Sequence, residues 1–182
     1  MEHRPLKYAF VVGFLAVSSL MAQTRQPAPG HSRGKHLAKT AKVVAQGDGF
    51  TLRRTHDSLY WLNDWQLPYP VYQFQTGDVD GDGHVDAMVG VVKATRFYPE
   101  KGRRLFIFKL VNGKPRPLWL GSKLGGRLED FRFTDGRLRA LERDKDGRYA
   151  VSDYTWGGFG MSHDRFLQKE TDRKTAIKSF SQ

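Results

Sequence analysis

Four aspartates recur at positions 78, 80, 82 and 86 of the stretch TGDVDGDGHVDAMVGV, residues 76–91, with Gly81 and Gly83 between them and His84 before the fourth. Counting Asp78 as position one puts Asp80 at three, Asp82 at five, His84 at seven and Asp86 at nine. Alternate residues of a tight loop point inward. Carboxylates at one, three and five, the backbone carbonyl at seven and a closing carboxylate at nine supply the oxygen-rich, flexible shell that calcium takes. Four acids packed this closely repel one another without a cation. Magnesium fits the pattern less well, because it keeps its waters and rarely has a dedicated protein cage. His84 enters through its carbonyl; the alternative is its imidazole as a ligand for a transition metal.

Position twelve decides the class of loop. An EF-hand needs a bidentate Glu there, opening a second helix. Here it is Val89, inside an apolar run with Val85, Val91 and Val92, so the loop joins two strands. GDVDGDGHVDAMVGV resembles the calcium-binding loop of FG-GAP repeats, the repeats of integrin alpha-chain propellers and of bacterial proteins described as VCBS or FG-GAP-like. The family's aspartates at one, three, five and nine match Asp78, Asp80, Asp82 and Asp86, and the glycine that ends its apolar strand matches Gly90. The resemblance implies that these four carboxylates and the His84 carbonyl bind calcium. A looser similarity, from Trp61 to Met161, is to small exported bacterial proteins with a single repeat pair and no assigned activity.

No other chemistry is written as plainly. There is no G-x-S-x-G elbow, no H-E-x-x-H pair and no phosphate-cradling loop ending in Lys-Ser or Lys-Thr. THDS, residues 55–58, holds His, Asp and Ser side by side, but triads assemble in space. Glu129 and Asp130 could serve as glycosidase carboxylates, yet strand neighbours point to opposite faces, which favours a surface pair. Two aromatic clusters, Tyr60, Trp61, Trp65, Tyr69 and Tyr72, then Trp156, Phe159 and Phe166, read as core or as a binding surface. From Arg103 to Arg143 eleven Lys/Arg face four acids, a basic sheet face able to meet an acidic glycan or protein, or simply solvated.

The elements that must carry the loop are short strands. FTLRR and YPVYQFQ alternate, VDAMVGVVK is apolar throughout like a strand buried on both faces, and RLFIFKLV is followed by Asn112-Gly113, a type I′ hairpin signal. PLWLG returns. Then DFRFTDGRLRALERDKDGRYAVSDYTW reads as three strands around tight turns at Asp135-Gly136 and Asp146-Gly147, with Phe131, Phe133, Leu138, Ala140, Tyr149, Val151 and Tyr154 on them. A faint repeat of strand, acidic turn and strand links residues 71–91 to 128–145. The expected fold is all-β, an antiparallel meander of blade-like sheets. It resembles a partial, non-closed propeller, because a closed one needs at least four blades and some 120 residues hold two or three. SHDRFLQKETDRKTAIKSF ends the chain as a short helix or frayed tail.

The 182 residues therefore divide into a signal peptide, 1–22, a flexible basic linker, 23–46, a β domain, 47–166, with its calcium loop at 78–86, and a charged tail, 167–182. Arg4 and Lys7 precede an apolar run, Tyr8 to Ala22, too short to span a bilayer comfortably, with Ala22 as the residue before cleavage; the alternative is an uncleaved anchor. Cleavage removes Arg4, Lys7 and Glu2, leaving 28 basic and 18 acidic residues, a net charge of +10, and no transmembrane span. The linker carries five Lys/Arg and no acid, a solvated spacer or an anchor to acidic polysaccharide, lipid head groups or nucleic acid. Cysteine is absent, which excludes a disulfide framework, a thiol nucleophile and a Cys-ligated zinc site. These features point to a periplasmic or extracellular, calcium-stabilised binding module without catalytic activity. Its expected partner is a protein or acidic glycan, and export speaks against nucleic acid. The alternative is a small exported hydrolase, or hydrolase accessory domain, acting on acidic polysaccharide.

Overall fold

The computed structural model describes residues 41–96, 99–121 and 124–182; the expected signal segment and most of the expected linker lie outside them. The described chain is built of twelve strands and one helix. The strands are β1 (Lys42–Gly47), β2 (Phe50–His56), β3 (Leu59–Leu62), β4 (Trp65–Leu67), β5 (Val71–Gly77), β6 (Asp86–Lys93), β7 (Gly102–Val111), β8 (Lys114–Trp119), β9 (Arg127–Thr134), β10 (Arg137–Arg143), β11 (Tyr149–Trp156) and β12 (Met161–Thr171), and the helix is α1 (Arg173–Phe180). They form three four-stranded antiparallel meanders in consecutive order, β1 to β4, β5 to β8 and β9 to β12. None closes on itself. The fold is all-β and blade-like, as the strand spacing predicts, with a short C-terminal helix.

The middle sheet lies between the other two. On β6 and β7 the side chains alternate: Ala87, Val89, Val91, Phe106 and Phe108 join Phe50, Leu52 and Leu62 of the first sheet. Met88, Leu105 and Ile107 join Phe131, Leu138 and Ala140 of the third. A strand packed on both faces has no polar side to show, which accounts for the unbroken apolar run of residues 87–92. Gly90 is required by close approach, since a Cβ there would lie 2.6 Å from the Tyr72 ring. The far face of the third sheet is covered by α1, where Ala176 packs on Leu141 and Val151.

Several local expectations shift. Asn112-Gly113 and Asp135-Gly136 have both residues at positive φ (53° and 71°, 51° and 70°), the type I′ geometry that matches strand twist. Asp146-Gly147 makes a tight turn of another kind: the Asp144 carbonyl accepts the Gly147 N–H at 3.3 Å, and of the two residues only Gly147 has positive φ. The Asp144 carboxylate braces it by accepting the N–H groups of Asp146 and Arg148. β1 starts at Lys42, five residues inside the stretch that composition reads as linker, because pairing with β2 satisfies its backbone. β12 runs to Thr171, well past the expected domain end at 166; three register shifts against β11 break the two-residue period and hide this strand in the sequence. Of the expected C-terminal helix or tail, Arg173–Phe180 is helical, capped by the Asp172 carboxylate on the N–H groups of Lys174 and Thr175.

Antiparallel meanders sort their loops by end. The 78–85 loop and the turns at 48–49, 112–113 and 135–136 share one end, where Thr76 Oγ1 donates to Asp48 Oδ2 at 2.6 Å. The described residues that follow β6 and β8, and the 144–148 turn, lie at the other. The third sheet keeps this alignment because β9 runs alongside β5, with Gln75 Oε1 accepting the Phe133 N–H at 2.7 Å.

Candidate metal centre

The acidic loop leaves β5 at Gly77 and enters β6 at Asp86, so two strands of the middle sheet fix its ends. Within it the aspartates fold the chain on themselves. Asp78 accepts the N–H groups of Gly81 and Gly83, Asp80 that of Asp82, and Asp82 that of His84, at 2.8 to 3.3 Å. Gly81 and Gly83 sit at positive φ, 74° and 83°, where a side chain would be strained. The loop is thereby shaped by carboxylate-to-backbone bonds.

Asp78, Asp80 and Asp86 each offer a carboxylate oxygen, and these lie within 4.8 Å of one another. Asp86 differs from the rest. It is fully buried, its Oδ2 accepts the Val79 N–H at 3.0 Å, and its Oδ1 makes no hydrogen bond of ordinary geometry. Burial pushes its pKa up to about 6; the Val79 bond opposes that rise and the Asp80 charge adds to it. An ionised oxygen left bare in the interior is costly unless something positive meets it.

Asp82 is turned elsewhere. Lys109 Nζ donates to Asp80 Oδ2 at 2.7 Å and to Asp82 Oδ2 at 2.8 Å. Hydrogen bonding by Lys109 and then by the His84 N–H holds the Asp82 carboxyl below its usual range, and the same two aspartates raise the pKa of the lysine. His84 is exposed. Of the four aspartates expected in one cage, the structure thus brings three together and gives the fourth to an ammonium. The sequence signal for Lys109 is its place on a strand: it follows Leu105 and Ile107 on one face of β7, one residue beyond the Ala87–Phe108 pair, and so stands beside Asp86. Which strand flanks the loop is settled only by the sheet order.

Three hard oxygen donors, one of them buried without a hydrogen bond of ordinary geometry, suit a hard cation such as calcium, and Asp78, Asp80 and Asp86 are the residues that would hold it. Glu129 meets Arg143 at 3.1 Å, Asp130 accepts the N–H of Phe131, and Asp57 of the THDS turn pairs with Arg54. The first aromatic cluster is mostly packing: Tyr60 and Trp61 are buried, and Trp65, Tyr69 and Tyr72 lie against the two cores. In the second, Trp156 packs inward, Phe166 is half-exposed and Phe159 stands almost wholly in solvent at the β11–β12 turn.

Two buried acids were also invisible in the sequence. Asp153 receives Arg139 Nε at 2.9 Å and Arg165 Nη2 at 2.9 Å; Glu142 receives the Gly126 N–H at 2.7 Å and the Tyr154 hydroxyl at 2.9 Å. Both are satisfied and tie the third sheet together. No protein-family model, curated protein or solved structure matches this chain.

Proposed function

We propose that this chain is an exported, calcium-stabilised β-repeat module that binds a partner and has no catalytic activity, working in the periplasm or outside the cell. The observation that carries the calcium reading is the buried Asp86 Oδ1, without a hydrogen bond of ordinary geometry, beside the carboxylates of Asp78 and Asp80. The resemblance of residues 77–91 to the FG-GAP calcium loop supports it independently. A cation there would hold the β5–β6 connection and, through β6, the sheet that both cores share, so its role is structural. Binding to a protein or acidic glycan is supported by the excess of cations on the described surface and by the exposed Phe159. Among the described residues no helix is long and apolar enough to cross a membrane.

Isothermal calorimetry on metal-stripped protein tests the site. Calcium binds with one-to-one stoichiometry, magnesium binds more weakly, and Asp80→Ala removes the calcium heat along with the calcium-dependent rise in melting temperature. Calcium that neither binds nor shifts melting in the unaltered chain refutes the reading.

A further inference from the structure

At the end of the middle and third sheets opposite the acidic loop lies a cavity of about 520 Å³. Its charged lining is Glu100, Arg104, Arg127, Arg143, Asp144 and Lys145. A second space of about 260 Å³ shares Arg104, Arg127 and Arg143 with it and adds Lys101, Arg103 and Glu129. The two form one cleft with six cations against three acids.

All three acids are already engaged. Glu100 pairs with Arg127, Glu129 with Arg143 at 3.1 Å, and Asp144 shapes its own turn by accepting the N–H groups of Asp146 and Arg148. Among the described residues Lys101, Arg103 and Lys145 have no ion-pair partner. Arg104 is buried and fixed, donating from Nη1 to the Arg103 carbonyl at 2.8 Å and from Nη2 to that of Glu100 at 3.2 Å. Its guanidinium occupies the space that a side chain at Gly102 would take, since a Cβ there would lie 2.9 Å from Nη1. Arg103 is held by the Tyr72 ring 4.7 Å away and by the Glu129 carbonyl. Excess positive charge with fixed guanidinium groups in a concave site is the arrangement that receives oxyanions, which a guanidinium meets with two parallel N–H bonds. The volume is that of a small-molecule site. The described lining of both spaces is dominated by charged side chains, so the recognition argued here rests on charge.

We propose that this cleft is a binding site for a compact anion with several negative charges, a di- or tricarboxylate or a phosphorylated small molecule. It goes beyond the calcium reading and stands at the other end of the fold. The test is calorimetry on the full chain at low ionic strength, in buffer freed of divalent cations by chelating resin, with citrate and pyrophosphate as probes. At least one probe binds, and Arg127→Gln/Lys145→Gln weakens it tenfold or more. Lys145→Glu, on an exposed turn, weakens it in the same direction. Lys114→Gln/Arg116→Gln on β8 leaves it within twofold, and the Arg127/Lys145 variant responds to calcium in melting as the unaltered chain does, which keeps the two readings separable. Binding of citrate alone assigns a carboxylate ligand, binding of pyrophosphate alone a phosphorylated one. If neither probe binds, if the Arg127/Lys145 variant binds as the unaltered chain does, or if the β8 control loses as much, the proposal falls.

Discussion

Replacing Asp86 by asparagine should have opposite effects with and without metal. Asparagine keeps the shape and its carbonyl can still accept the Val79 N–H that Asp86 Oδ2 receives at 3.0 Å. It removes a charge that burial disfavours. Asp86 holds its proton up to about pH 6, against a usual 3.8. Ionising it in place therefore costs about 2–3 kcal/mol, allowing for water around the exposed loop. The sign follows from linkage: with the folded pKa raised, the contribution of this group is fully present below pH 3.8 and is lost as pH rises through about 6. Metal-free Asp86→Asn at pH 8 should thus be more stable than the metal-free parent by about 2–3 kcal/mol, or roughly 5–10 °C in melting temperature. The difference should shrink as pH falls from 6 toward 3.8. With calcium at a hundred times its dissociation constant the parent gains about 2.7 kcal/mol, whereas the variant, short of one ligand, gains little. Differential scanning calorimetry at pH 8 and pH 5, with chelator and with calcium, reads all four states. A metal-free variant less stable than its parent at pH 8, or one that keeps the full calcium shift, refutes the reasoning.

Other outcomes follow from the same geometry. Lys109→Met keeps the stem and removes an ammonium bonded to Asp80 and Asp82; calcium affinity should rise about tenfold or more, measured by competition with a fluorescent chelator. Asp153→Ala strands Arg139 in the interior and should cost about 3–5 kcal/mol in urea unfolding. Burial alone would raise the Asp153 pKa, but Arg139 and Arg165 more than offset it; the parent should lose this stabilisation only as pH falls below 3.8, through the lowered folded value. Gly90→Ala pushes a methyl group into the Tyr72 ring and should cost about 1–3 kcal/mol, with Tyr72→Leu in the same chain restoring part of it.

The sequence showed those parts of the fold that local rules govern. Asn112-Gly113 and Asp135-Gly136 announced their hairpins because positive φ at two successive residues demands such pairs. The apolar run of β6 announced a doubly covered strand. β12 stayed hidden because its bulges break the alternation, and β1 because Lys42–Gln46 alone carries too little apolar surface to look folded. At the site, the spacing of Asp78, Asp80 and Asp86 was legible, since all three belong to one short loop. The Lys109 contact was not: it crosses 27 to 29 residues and depends on β7 lying next to β6. The basic cleft was visible as a charge excess between residues 103 and 143, but its concavity arises only where two sheets meet.

The middle sheet supplies side chains to both large cores, while the first and third sheets build on it from opposite sides. Neither outer sheet can outlive it. Amide hydrogens of β6 and β7 should therefore exchange only through global opening, and those of β1 and β12 through cheaper local fraying. A ligand that tightens the loop at the head of β6 would slow every amide that exchanges through global opening, in whichever sheet it lies, and leave the fraying edges as they are, so occupancy at one end reaches the core of the whole described fold.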